Sequence, residues 1–181
     1  MNAKTLAKRN IFSGKVFTVT EHDINFGEKA PYTFEVISFN VYTGVNAIPL
    51  IDNKIILINY FQPAIGTNTW RLPGGGVEWG KNPEEQISIE LQEEIGFKPN
   101  KITLIAKCHM ETSYVCNAPA HIYLAENLEP SRLKGDEPFG IRLASFKIDK
   151  LLEMIYDGEI TDTRTAFAIL FYHQFLNKTS Q

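Results

Sequence analysis

Val16, Phe17 and Val19 alternate with polar side chains along residues 15–20, the two-residue period of a strand with one face buried. Residues 33–40 form a second run of this kind, and Gly27 and Pro31 interrupt the stretch between them. Residues 15–40 therefore predict a hairpin. Residues 41–50 read as extended chain. Asp52 and Asn53 mark a tight turn into residues 55–60, a near-continuous apolar run of the kind that builds a strand buried on both faces.

The period then changes. Pro83 suits the first position of a helix, where its missing N–H costs nothing. Ile87, Leu91 and Ile95 follow every four residues, and Gly96 ends the helix as its C′ residue. Further strands are predicted over residues 102–109 and 120–125, then a polar loop over 126–140 and a short strand over 141–146. Leu151, Leu152 and Ile155 lie on a helix stopped by Gly158. A last helix, capped by Thr161 or Asp162, runs through Phe175 with Phe167, Leu170 and Phe171 on its buried side. Strands first, one helix in the middle and helices last predict an α/β (α+β) architecture, a mixed β-sheet sandwiched between helices.

A chain of 181 residues suits one domain. With 44% apolar and 22% charged residues it has the composition of an ordered globular protein. The net charge of −3 comes without a basic block, which argues against nucleic acid as a partner and leaves room for a small phosphorylated substrate. Residues 1–12 carry positive charge but no apolar core of a signal peptide, and no apolar run is long enough to span a membrane. Cys108 and Cys116 fit neither a C-x-x-C pair nor a zinc site, and are expected as reduced thiols in a cytoplasmic protein.

The chemistry concentrates at Gly74-Gly75-Gly76 and the helix after it. On a helix, Glu90, Glu93 and Glu94 fall within an arc of about 100°, beside the stripe of Ile87, Leu91 and Ile95. Three carboxylates on one arc repel unless a counter-charge holds them. One reading is a solvated acidic helix face. The other is a hard divalent cation, Mg²⁺ or Mn²⁺, beside a glycine turn through which backbone approaches closely. Arg71 and Leu72 before the turn, and Gly96 and Phe97 after the helix, favour the second.

In these residues the chain resembles the Nudix hydrolase family, whose box reads G-x5-E-x7-R-E-U-x-E-E-x-G-U with U a bulky aliphatic. Gly75 fills the first glycine, and Glu90, Leu91, Glu93, Glu94, Gly96 and Phe97 fill the tail without gaps. Residues 60–73 and 157–162 look most like the branch of ADP-ribose pyrophosphatases and nucleoside-diphosphate-sugar hydrolases. The resemblance implies a Nudix fold across residues 1–181, with N-terminal strands over 1–40 that pack on a partner to make a homodimer, and a catalytic core over 41–181. It implies Glu90 and Glu94 as main metal ligands, Glu93 assisting, and a backbone carbonyl of Gly74 or Gly75 as a further ligand. It also implies hydrolysis of a nucleoside diphosphate linked to a sugar, to a nucleoside monophosphate and a sugar phosphate.

Two box positions depart from the pattern: Lys81 stands for the glutamate and Ile89 for the arginine. Glu84 and Glu85 are near enough to substitute in part, and Lys81 could contact a phosphate instead. These departures sustain a rival expectation, a Nudix-fold protein that binds a nucleotide sugar without cleaving it. In the ADP-ribose branch a late-loop glutamate activates water, which points to Glu137, then Asp136, with Glu111, beside the strand ending at His109, as a further alternative and a candidate substrate contact. Arg71 is a candidate diphosphate contact. Phe61 stands where relatives often carry an arginine near the substrate.

Other signals are weaker. Gly75, Gly80 and Lys81 nearly spell a P-loop, but Asn82 stands where Ser or Thr must meet Mg²⁺. His22, His109, His121 and His173 show no ligand spacing, and no Gly-x-Ser-x-Gly occurs. Tyr60 and Trp70 are expected in the core. One of the aromatic residues around the box, which include Trp79, could stack on a base.

Overall fold

The structure is a computed structural model, describing residues 3–27, 30–112, 115–135 and 140–179. Three antiparallel strands, β1 (Lys4–Ser13), β2 (Phe17–Asn25) and β3 (Tyr32–Phe39), form an N-terminal sheet. The expected hairpin is β2–β3. Strand β1 has no clean alternation, because register shifts between Thr5 and Ala7 and between Asn10 and Phe12 break its period. Arg9 ties β1 to β2 through Glu21 (3.0 Å) and Asp23 (2.9 Å from Nη2).

Strands β4 (Thr43–Ile51), β5 (Lys54–Gln62), β6 (Thr67–Arg71) and β7 (Gly74–Val77) follow in quick succession. The β4–β5 turn is Asp52-Asn53, both at positive φ (49° and 57°), as a hairpin matched to strand twist requires. After helix α1 (Pro83–Glu94) come two long strands, β8 (Phe97–Thr112) and β9 (Cys116–Pro130). The loop expected from residue 126 begins later than the polar composition suggested, because β9 stays paired with β8 as far as Pro130↔Phe97. Strand β10 (Arg142–Phe146), α2 (Ile148–Tyr156) and α3 (Thr163–Thr179) complete the order. Strand β9 runs parallel to both β3 and β4 while the other pairings are antiparallel, so the sheet is mixed.

Alternate residues of the central strands serve opposite layers. Ile48, Ile55, Leu57, Ile122 and Leu124 pack with Leu151, Met154 and Ile169 of α2 and α3. Val45, Ala47, Ile56, Ile58 and Tyr123 pack with Ile87 and Leu91 of α1. Both faces of β5 are therefore apolar, which explains its unbroken run. Tyr60 and Trp70 are partly buried against these clusters.

Helix α3 turns differently from the expectation. Phe167, Leu170 and Phe171 are exposed (37%, 41% and 39%), while Thr165, Ala168, Ile169 and Tyr172 are buried. Both stripes have helical spacing and are largely apolar. Ala168 has little side chain to hold the helix away from the sheet, and the Thr165 hydroxyl finds a buried partner in Leu72.

Candidate active site

Strand β7 lies along β4 with Asn46↔Gly74, Val45↔Gly75 and Gly44↔Gly76 in register. The glycines allow this approach. Gly74 has φ +148°, and a Cβ there would strike the Val45 carbonyl and sit 2.8 Å from Asn46 Cα. A Cβ on Gly75 would strike the carboxylate of Glu90.

Helix α1 delivers the acids. Asn82 caps it, its Oδ1 accepting from Glu84 N–H at 2.9 Å, with Pro83 in the first turn. Ile87 and Leu91, both fully buried, fix the helix on the sheet. Its other arc then turns Glu90 and Glu94, one turn apart, toward the glycines. Glu94 is buried and accepts a hydrogen bond from Gly74 N–H at 2.7 Å. Glu90 lies against Gly75 and accepts from Gln86 Nε2 at 2.9 Å. Glu93 is half-buried on the same helix. Gly96, at φ +77°, ends the helix as expected.

Among the described residues no ready-made cluster of three or more His, Cys, Asp or Glu side chains is present. The donor set nonetheless suits a hard cation. Two carboxylates converge on one glycine segment, and the buried Asn46 Oδ1 beside it has no hydrogen-bond partner among the described residues.

The same glycines line a cleft of about 490 Å³, walled by Tyr42 and Trp79 and by two arginines, Arg71 and Arg164. The acids touch the glycine segment but do not themselves line this cleft. Tyr42 and Trp79 stand 5.3 Å apart, centroid to centroid, with Trp79 largely exposed. Arg71 is fixed by Tyr60 OH at 3.1 Å and by Asp162 at 3.4 Å, and lies over the Tyr60 ring. Asp162 in turn caps α3, its Oδ1 accepting from Thr165 N–H (2.9 Å) and Thr165 Oγ1 (2.7 Å). Thr165 Oγ1 accepts from Leu72 N–H at 2.9 Å, so the start of the glycine turn is pinned to α3.

The structure thus brings Arg71, Gly74, Gly75, Glu90 and Glu94 together. Lys81 and Phe61 are exposed and do not line the cleft. Ile89 is partly exposed at 38%. Asp136 and Glu137 lie outside the described residues, as does the side chain of Glu111. Sequence reasoning passed over Arg164, Thr165 and the pairing of Asp162 with Arg71. The run Thr161-Asp162-Thr163 announces a helix start, but nothing in it says that the helix begins beside a turn some ninety residues earlier.

Among the described residues no helix is long and apolar enough to cross a membrane. The chain is 26% identical over 178 residues to the ADP compounds hydrolase NudE of Escherichia coli (strain K12), covering 97% of this chain and 91% of that protein. It is 27% identical over 173 residues to the ADP-ribose pyrophosphatase of Bacillus subtilis (strain 168), covering 94% and 92%. A crystal structure of an ADP compounds hydrolase superposes with a TM-score of 0.89 over 99% of this chain and 96% of that one, at 22% identity, a likeness of fold. The NUDIX domain pattern itself matches residues 42–161, from the start of the β4 region to the N-terminus of α3, and the chain belongs to the Nudix family.

Proposed function

We propose that this Nudix hydrolase is a divalent-metal-dependent pyrophosphohydrolase of ADP-ribose or a related nucleoside diphosphate sugar. The observation that carries the reading is the convergence of Glu90 and Glu94 on Gly74 and Gly75, at the wall of a cleft that also holds Arg71. The names of the two relatives that span nearly the whole chain support the substrate class.

Glu90, Glu93 and Glu94 would hold Mg²⁺ or Mn²⁺ with a carbonyl of Gly74 or Gly75. The ion would neutralise phosphate charge and acidify water. The chain's own residues do the rest. Arg71, held by Tyr60 and Asp162, presents a fixed cation to the diphosphate. The exposed face of Trp79 offers a stacking surface for the base. Glu137 or Asp136 orients the attacking water. Water attacks one phosphorus, the bridging P–O bond breaks, and a nucleoside monophosphate and a sugar phosphate leave.

The test is release of monophosphate from ADP-ribose, GDP-mannose, UDP-glucose, NADH and a nucleoside triphosphate, with Mg²⁺ and then Mn²⁺, beside Glu94→Gln. Turnover of a diphosphate-linked substrate by the parent, lost in the variant, is expected. Binding without turnover on any of them would instead assign a nucleotide-sugar sensor, with Lys81 and Ile89 marking a retired site. The N-terminal strands support a homodimer, since Leu6, Ile11, Phe12 and Phe17 are exposed there. Sedimentation of the chain as a monomer at micromolar concentration would refute that part.

A further inference from the structure

Among the described residues that line the cleft, Arg164 is the cation that the hydrolase reading leaves unused. It projects from the first turn of α3, whose position is fixed by the Asp162 cap and by the Thr165 bond to Leu72. Its Nη1 would lie 3.1 Å from a Cβ on Gly44, so the guanidinium rests over bare backbone at a position paired with Gly76 on one side and Ala120 on the other. Its Nε is buried and has no hydrogen-bond partner among the described residues. Arg71, the other cationic wall, already spends donors on Tyr60 and Asp162. A buried guanidinium donor left unsatisfied is costly unless a ligand completes it.

We propose that Arg164 is a substrate-binding residue that grips a phosphate group in the cleft, its planar fork lying across the gap left by Gly44. A guanidinium suits this task because it stays charged and offers paired donors matched to phosphate oxygens. The proposal deepens the hydrolase reading by assigning a second anion contact in the cleft beside Arg71, and it rests on that reading only for the identity of the whole substrate.

The test measures binding of inorganic pyrophosphate and of ADP by calorimetry, without divalent metal, so that the acids hold no bridging ion. Parent, Arg164→Met, Arg164→Lys and Gly44→Ala are compared, each with its thermal midpoint. Arg164→Met should bind both probes about tenfold or more weakly at an unchanged or higher midpoint, since the unpartnered Nε is removed. Arg164→Lys should fall between it and the parent, and Gly44→Ala should weaken binding by crowding the guanidinium while leaving its charge. Equal affinity of Arg164→Met and parent would overturn the proposal. So would a parent that binds neither probe, or a loss that merely tracks a fall in thermal midpoint. Turnover of ADP-ribose by the metal-loaded parent is scored separately. Turnover with unchanged KM in Arg164→Met would sink this assignment and spare the hydrolase, whereas Arg164-dependent binding with no turnover would do the reverse.

Discussion

Glu94 carries a negative charge and also accepts the Gly74 N–H, and one substitution separates the two roles. Gln at this position keeps an oxygen for Gly74 but removes the charge. Glu94→Gln should therefore lower kcat by roughly a hundredfold or more with Mg²⁺ while moving the denaturation midpoint little. Glu94→Ala should lose both. Thr165 offers the complementary case, a buried hydroxyl that carries no charge. Thr165→Val leaves the Leu72 N–H without its acceptor and should cost about 1–3 kcal/mol in urea unfolding, with Thr165→Ser nearly neutral. The acids were legible because their spacing is local, three positions on one helix. Thr165 and Arg164 were not, because their meaning comes from strands that pass beneath a distant helix.

At the scale of the element, α1 follows its sequence closely: Asn82 as cap, Pro83 in the first turn, Gly96 at positive φ after the last. Asn82→Ala should cost about 1 kcal/mol, read as a lower thermal midpoint with the acids still in place. The same rules left α3 underdetermined. Its start was marked by Asp162, but two stripes of equal period competed, and the larger side chains of Phe167 and Phe171 drew the expectation to the exposed one. Which stripe is buried depends on what the sheet can accept. Strand β1 lies within the strands that the resemblance implied over 1–40 but was not placed by periodicity, since its bulges erase the alternation on which a strand is recognised.

At the scale of the molecule, the N-terminal sheet carries an ion-paired cluster of Arg9, Glu21 and Asp23 on its surface, where the core rests on apolar packing. Hydrogen bonds from Arg9, then from Thr33, hold the Asp23 carboxyl down to about 2 from an ordinary 3.8, and the Arg9 guanidinium is correspondingly raised. A depressed carboxyl stabilises the fold above its unfolded pKa and loses that contribution as pH falls through the folded one. The parent should therefore melt above Arg9→Gln at pH 5, and the gap should close as pH is lowered from about 4 to about 2. The effect should be modest, because the pair is partly exposed. The architecture itself was readable because strands, turns and box fall in the order in which the layers assemble, whereas the cleft unites the earliest core strand, the glycine turn and the last helix. The bond from Leu72 to Thr165 spans 93 positions of sequence. A ribosome that has made the glycine turn and the acidic helix has not yet made the residue that clamps them. During synthesis the box is therefore complete before the residue that pins it, and the glycine turn gains its clamp only once α3 has been made and docks.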